Sequence, residues 1–254
     1  MQVIAVATQK GGEGKTTTSS AMLSGLTLKG YKVLAIDLDA QGNLTNIVGC
    51  ESGEKNSLGL LTKECSITEA VQKTDFGDVV AGDKALASID AILQNQLGKA
   101  HRLKKALEEV RELYDFVIID CPPALGTLTA NALTASDYVV IPTQADISSL
   151  QGISQLWETI QEAREYTNSK LKVAGILLTR YNDRTALNKE IERQLREEIA
   201  PLMNTRLFKS HIREAIAIRE AKYMQKSIFT YAPKSKVAGD YSNFIDELLS
   251  LLKK

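Results

Sequence analysis

The eight residues Lys10-Gly11-Gly12-Glu13-Gly14-Lys15-Thr16-Thr17 constrain the fold more than any other stretch of the chain. A β-branched apolar run at residues 3–7 precedes them, and a helix-compatible stretch from Lys15 to Leu28 follows. A strand, a glycine-rich loop ending in Gly-Lys-Thr and then a helix is the phosphate-binding pattern. Gln9 stands where that pattern has its first glycine, and the loop begins with Lys10 instead. Gly11, Gly12 and Gly14 let backbone N–H groups turn inward around an anion. The positive end of the following helix adds to the attraction. Lys15 is placed to neutralise β and γ phosphates, and the Thr16 hydroxyl to meet Mg²⁺. A plain glycine-rich turn before a helix explains less, because strand, loop and helix all stand in the required order.

Further short apolar runs, at residues 32–36, 116–119, 138–141 and 173–178, show little alternation, as strands covered on both faces do. Helical spacing recurs between and after them at residues 102–113, 153–166, 186–199 and 241–252. This alternation predicts an α/β fold, a mostly parallel twisted sheet flanked by helices on both faces. With no repeat, low-complexity stretch or Pro-rich linker, residues 1–254 read as one domain. Residues 50–98 are the least regular part.

No apolar run approaches the ~20 residues that span a bilayer. The first residues lack a basic leader, which argues against a signal peptide. Cys50, Cys65 and Cys121 have neither metal spacing nor an even count, which fits a reducing cytosol. The formal net charge is zero, yet residues 37–90 carry a net of −6 and residues 206–236 a net of +6. Such asymmetry marks either a surface for nucleic acid or two solvated faces of opposite sign.

Two acidic motifs accompany the loop. The second strand runs into Asp37-Leu38-Asp39-Ala40-Gln41-Gly42-Asn43, which places carboxylates at a strand C-terminus, where open α/β sheets bind ligands. Four apolar residues at 116–119 lead to Asp120, a position suited to holding Mg²⁺ through water. Cys121 reads as a small residue filling space beside it.

The lysine-led loop resembles the deviant Walker A group of P-loop NTPases, which includes ParA, MinD and the nitrogenase iron protein. The three cysteines do not supply the cluster ligands of the last. Asp37–Asn43 resembles the D-x-D-P-Q-G-N switch of ParA proteins, with Ala40 in place of proline. Pro123-Ala124-Leu125-Gly126 with Asn131-Ala132-Leu133 looks like the second switch, and residues 178–185 like the adenine-side loop. Ile212-Arg213, Glu220-Ala221 and residues 231–235 match the ParA C-terminal pattern, so the likeness covers nearly the whole chain. The chain resembles the short, Soj-like ParA type that lacks a helix-turn-helix extension.

The resemblance implies a weak, partner-stimulated ATPase that forms a nucleotide-dependent homodimer. Such proteins bind non-specific double-stranded DNA and are released by a ParB-like centromere-binding protein. It places the chain in the cytoplasm, on the nucleoid, with ATP and Mg²⁺ as cofactors. By the same likeness Lys10 reaches the partner subunit's phosphates, Lys15 holds its own, and Asp39 orients the attacking water. Thr16, Asp37 and Asp120 form the metal set. Gly11, Gly12, Glu13, Gly14, Lys15, Thr16, Thr17, Asn182 and Arg184 surround the nucleotide. Arg184, Arg213 and Arg219 are the DNA-contact candidates, with Arg184 equally suited to a structural place in the adenine loop.

Glu13 departs from the family, which carries uncharged residues there. A carboxylate beside a triphosphate is repulsive unless it turns away or finds a cation. Either Glu13 pairs with a basic residue or it weakens nucleotide-driven dimerisation. Two rival functions remain open. A MinD-like membrane cycler would use the amphipathic stretch 244–254, with Lys253 and Lys254 its only basic residues; docking of that helix on the core is the alternative reading. A metabolic ATP-dependent enzyme of the same fold, a synthetase or a tyrosine kinase, would need a second substrate pocket or a C-terminal tyrosine cluster.

Overall fold

The computed structural model describes residues 1–252; Lys253 and Lys254, on which part of the membrane reading rested, lie outside the described residues. Seven strands form one sheet: β1 (Gln2–Val6), β2 (Val33–Asp37), β3 (Val71–Thr74), β4 (Gly77–Val80), β5 (Phe116–Asp120), β6 (Tyr138–Thr143) and β7 (Lys172–Leu178). Their spatial order is β3-β4-β2-β5-β1-β6-β7. All neighbours pair in parallel except the β3–β4 hairpin at one edge.

The principal helices are α1 (Lys15–Leu28), α2 (Asn43–Ile47), α3 (Arg102–Glu108), α4 (Thr127–Ala135), α5 (Ile147–Tyr166), α6 (Ala186–Gln194), α7 (Ile216–Tyr223) and α8 (Lys236–Leu252). Successive side chains of a strand point to opposite faces. Val3, Ala5, Leu34, Ile36, Val117 and Ile119 therefore meet α3, α4 and α5 on one side. Ile4, Val6, Val33, Ala35, Phe116 and Ile118 meet α1 and α8 on the other. Both faces are covered, which is why the strands read as continuous apolar runs.

α1 is buried along most of its length by small residues that admit its neighbours closely. A Cβ on Gly25 would stand 2.3 Å from Ile245 Cδ1 of α8. α8 turns Tyr241, Phe244, Ile245, Leu248, Leu249 and Leu252 into this interface. That apolar face is occupied by the core and is not free to lie on lipid. Among the described residues no helix is long and apolar enough to cross a membrane.

The expected strands and α1 appear within a residue or two of their predicted bounds. The β3–β4 hairpin and α7 were not expected. Each hairpin strand has only four residues, and Gly77 combines φ 139° with no room for a Cβ, which would meet Leu23 Cδ1 at 2.6 Å. The helix predicted from 153 begins at Ile147, because Asp146 caps it by accepting the Ser149 N–H at 2.9 Å. The helix predicted over 186–199 is α-helical to Gln194 and continues as a π-turn over Leu195–Ile199.

Candidate nucleotide site

Parallel register brings the functional groups together. Val6 at the end of β1 pairs with Asp120 at the end of β5, and Asp120 pairs with Asp37 at the end of β2. The glycine-rich loop leaves β1 at this same edge. Gly12 (φ 85°) and Gly14 (φ 88°) adopt left-handed conformations that L side chains rarely take. Lys15 is buried, and its ammonium donates to the Lys10 carbonyl at 3.2 Å. Burial lowers its pKa, with Asp120 the largest opposing influence.

Asp120 is completely buried. Its Oδ1 accepts from the Ser19 hydroxyl at 2.8 Å, while Oδ2 is buried without a hydrogen-bond partner. Desolvation and the neighbouring Asp37 carboxylate push its pKa up to about 7. A buried carboxylate with an idle oxygen beside a phosphate loop suits a cation far better than it suits an empty core. The residues present thus fit Mg²⁺, with Thr16 and Asp120 as its holders. Asp37 is placed differently: Oδ2 accepts from the Thr45 N–H at 2.9 Å and hydroxyl at 2.7 Å, and Oδ1 from the Asp39 N–H at 3.1 Å. Its carboxylate braces the turn into α2, so its part in a metal set would be through that turn. Asp39 lines the open cleft, and its Oδ1 accepts from the Gln41 N–H at 3.0 Å.

The cleft measures about 890 Å³. Gly11, Gly12, Gly14, Lys15, Thr16 and Thr17 form one wall, and Arg180, Arg213, Arg219 and Lys222 stand in the rest of its lining. Arg213 makes a two-pronged bond to Asp240, at 2.6 Å from Nε and 2.8 Å from Nη2. The charge-assisted bonds to Asp240 raise its pKa. Ala215, Ile218, Arg219 and Lys222 share one face of α7 and its entry, at spacings of three, four and seven residues. Lys222 was not expected as a cleft residue because α7 itself was not expected; this periodicity is the signal that could have found it. Arg180, with φ 48°, had no such signal.

Asn182 and Arg184 do not reach the cleft lining. Asn182 Oδ1 accepts from the Arg184 N–H at 3.0 Å, and its carbonyl from Asn188 Nδ2 at 2.8 Å, so the pair shapes the exposed turn before α6. From that loop Thr179 and Arg180 line the cleft instead. Glu13 also faces away from the cleft. It is fully buried, its Oε1 lies 3.0 Å from the Ser149 hydroxyl and 3.2 Å from Lys10 Nζ, and its Oε2 accepts from the Gln144 N–H. The basic residue it pairs with is therefore Lys10.

A strand-loop-helix phosphate cradle, converging carboxylates and a nucleotide-sized cleft define a P-loop nucleotide-binding fold of the lysine-led type. The AAA domain family model matches residues 1–173. The sporulation initiation inhibitor protein Soj of Bacillus subtilis is 37% identical over 97% of this chain and 98% of its own. The chromosome partitioning protein ParA of Caulobacter vibrioides is 32% identical over 98% of this chain and 94% of its own. Among solved structures, a cobyrinic acid a,c-diamide synthase from Mycobacterium smegmatis with a bound ATP analogue and magnesium is 33% identical. It has a TM-score of 0.86 over 100% of this chain and 96% of that one. The chain belongs to the ParA/Soj group of this AAA-domain family.

Proposed function

We propose that the protein is a DNA-partition ATPase whose ATP-bound dimer holds DNA non-specifically and lets go on hydrolysis. The observation that carries this reading is the union of a lysine-led loop with Asp39 and Asp120 in one cleft, in a chain similar to Soj and ParA throughout. Lys15 and the loop amides bind the β and γ phosphates, and Thr17 begins the wall along the rest of the nucleotide. Thr16 and Asp120 hold Mg²⁺, which supplies charge neutralisation for the phosphates when bound. Asp39 orients water for attack, and the Asp37 brace keeps Asp39 at the cleft edge. Lys10 acts across a dimer on the partner's nucleotide.

Arg184 and Arg219 are exposed and can meet DNA phosphates, whereas Arg213 is part-exposed and would have to share a guanidinium already paired with Asp240. Arg213 and Arg219 also line the cleft, which would couple nucleotide occupancy to the DNA surface. The likeness to the diamide synthase favours a second reading, a synthetase coupling ATP to amide formation. The deciding experiment measures DNA binding with ATP, ADP and no nucleotide across a salt series. ATP-dependent, sequence-independent binding with a steep salt slope is expected. Absent DNA binding together with ATP-coupled turnover of an amide-accepting carboxylic acid would replace this reading with the synthetase.

A further inference from the structure

Lys10 is not free in the monomer. Its ammonium lies 2.9 and 2.7 Å from the two Asp146 oxygens, 3.2 Å from Glu13 Oε1 and 3.4 Å from the Ser149 hydroxyl. One cation thus faces two carboxylates, and the trio carries a net charge of −1. The two carboxylates are not equivalent. The Asp146 side chain keeps 37% of its surface exposed, so water can replace the ammonium there; Glu13 keeps none. A fully buried carboxylate that loses its cation is left uncompensated in a poor solvent for charge. Glu13 is also the centre of a strap. Its Oε2 takes the Gln144 N–H, its carbonyl takes the Thr179 hydroxyl at 2.8 Å, and Gln144 Nε2 returns to the Gly12 carbonyl at 3.1 Å.

We propose that Glu13 is a positioning residue for Lys10: it retains the ammonium in cis against α5 and so sets how readily two nucleotide-loaded copies close. The inference rests on the dimer reading given above. Crossing to a partner's phosphates requires Lys10 to leave Glu13 as well as Asp146, and the buried member of the pair resists most. The Ser149 hydroxyl tunes the same contact: it gives its proton to Glu13 Oε1 at 3.0 Å, and its own contact with the ammonium, at 3.4 Å, is the longer and weaker of the two. Removing that hydroxyl leaves the buried oxygen more dependent on the ammonium.

The test is sedimentation equilibrium with a non-hydrolysable ATP analogue and Mg²⁺. It is paired with the rate at which acetic anhydride labels Lys10 in the nucleotide-free monomer, read by mass spectrometry. Glu13→Gln keeps the volume and removes the charge. It is expected to tighten the dimer about tenfold, a gain of about 1.4 kcal/mol, and to speed labelling of Lys10. Ser149→Ala is expected to act oppositely, weakening the dimer and slowing labelling, and it decides the matter if the first variant does not fold. A change of sign, or no change in either variant, overturns the role of Glu13 while leaving the dimer reading intact. A wild type that stays monomeric while Glu13→Gln dimerises supports the inference in its strongest form. If neither dimerises, both readings fall.

Discussion

Replacing Asp120 by Asn should make the nucleotide-free protein more stable, although it removes a residue the site needs. Asp120 is fully buried and its pKa stands at about 7, against about 3.8 for an unperturbed aspartate. Between those two values the folded state binds more protons than the unfolded state, so stability falls as pH rises through the window and levels off above it. The neighbouring Asp37 shares in that penalty, and a buried carboxylate without its cation typically costs a fold about 3–5 kcal/mol. Asn avoids that cost but leaves one amide group unsatisfied, at about 1–3 kcal/mol. The net gain is then about 1–3 kcal/mol, or roughly 5 °C in melting temperature for a chain of this size. The assay is thermal unfolding in EDTA at pH 8 and pH 5, with a parallel series in Mg²⁺ and ATP. The variant should melt higher at pH 8, lose that advantage at pH 5, and gain less than wild type from Mg²⁺ and ATP. A variant less stable at pH 8, or an advantage unchanged at pH 5, would refute the argument from an uncompensated buried charge.

Other expectations follow from single contacts. Lys222→Ala removes a largely desolvated cation from the cleft wall and should weaken ATP binding about tenfold, measured by calorimetry, with the melting temperature nearly unchanged. Asp39→Ala should trap an ATP-loaded, DNA-bound state with hydrolysis reduced at least about a hundredfold; wild-type turnover would remove Asp39 from the mechanism. Gly175→Ala places a Cβ 2.5 Å from Phe208 Cε2, in a ring stacked edge-on against Phe244 at 5.0 Å. It should cost about 1–3 kcal/mol by urea titration, and Phe208→Leu in the same chain should return part of that loss.

The central strands and the phosphate loop were legible because both rest on local pattern: apolar runs with a fixed punctuation of glycine and Gly-Lys-Thr. The β3–β4 hairpin was not, since four-residue strands give too little alternation to read and the side chains that crowd Gly77, Leu23 and Thr27 of α1, are far away in sequence. The carboxylates show the same division. Asp37, Asp39 and Asp120 could be placed at strand ends from the sequence. That Asp37 spends its oxygens on Thr45 while Asp120 keeps one idle depends on how α2 closes over β2. Asn182 and Arg184 failed to reach the cleft because the turn before α6 is stabilised by its own hydrogen bonds and leans outward. For Glu13 the sequence posed a conflict between a carboxylate and a polyanion. It could not show that the side chain leaves the loop on the α5 side and takes Lys10 with it.

The packing of α8 onto α1 has a consequence for synthesis on the ribosome. The helix that presents the phosphate loop spans Lys15–Leu28, but part of its lining, Tyr241 and Ile245 with Phe229, follows about 200 residues later in the chain. At about 5–20 residues per second, α1 waits on the order of ten to fifty seconds before its partner leaves the exit tunnel. Throughout that interval the nascent chain carries a phosphate-binding sequence whose supporting helix has one face uncovered. Nucleotide binding is therefore expected to switch on only once α8 has emerged and closed over α1.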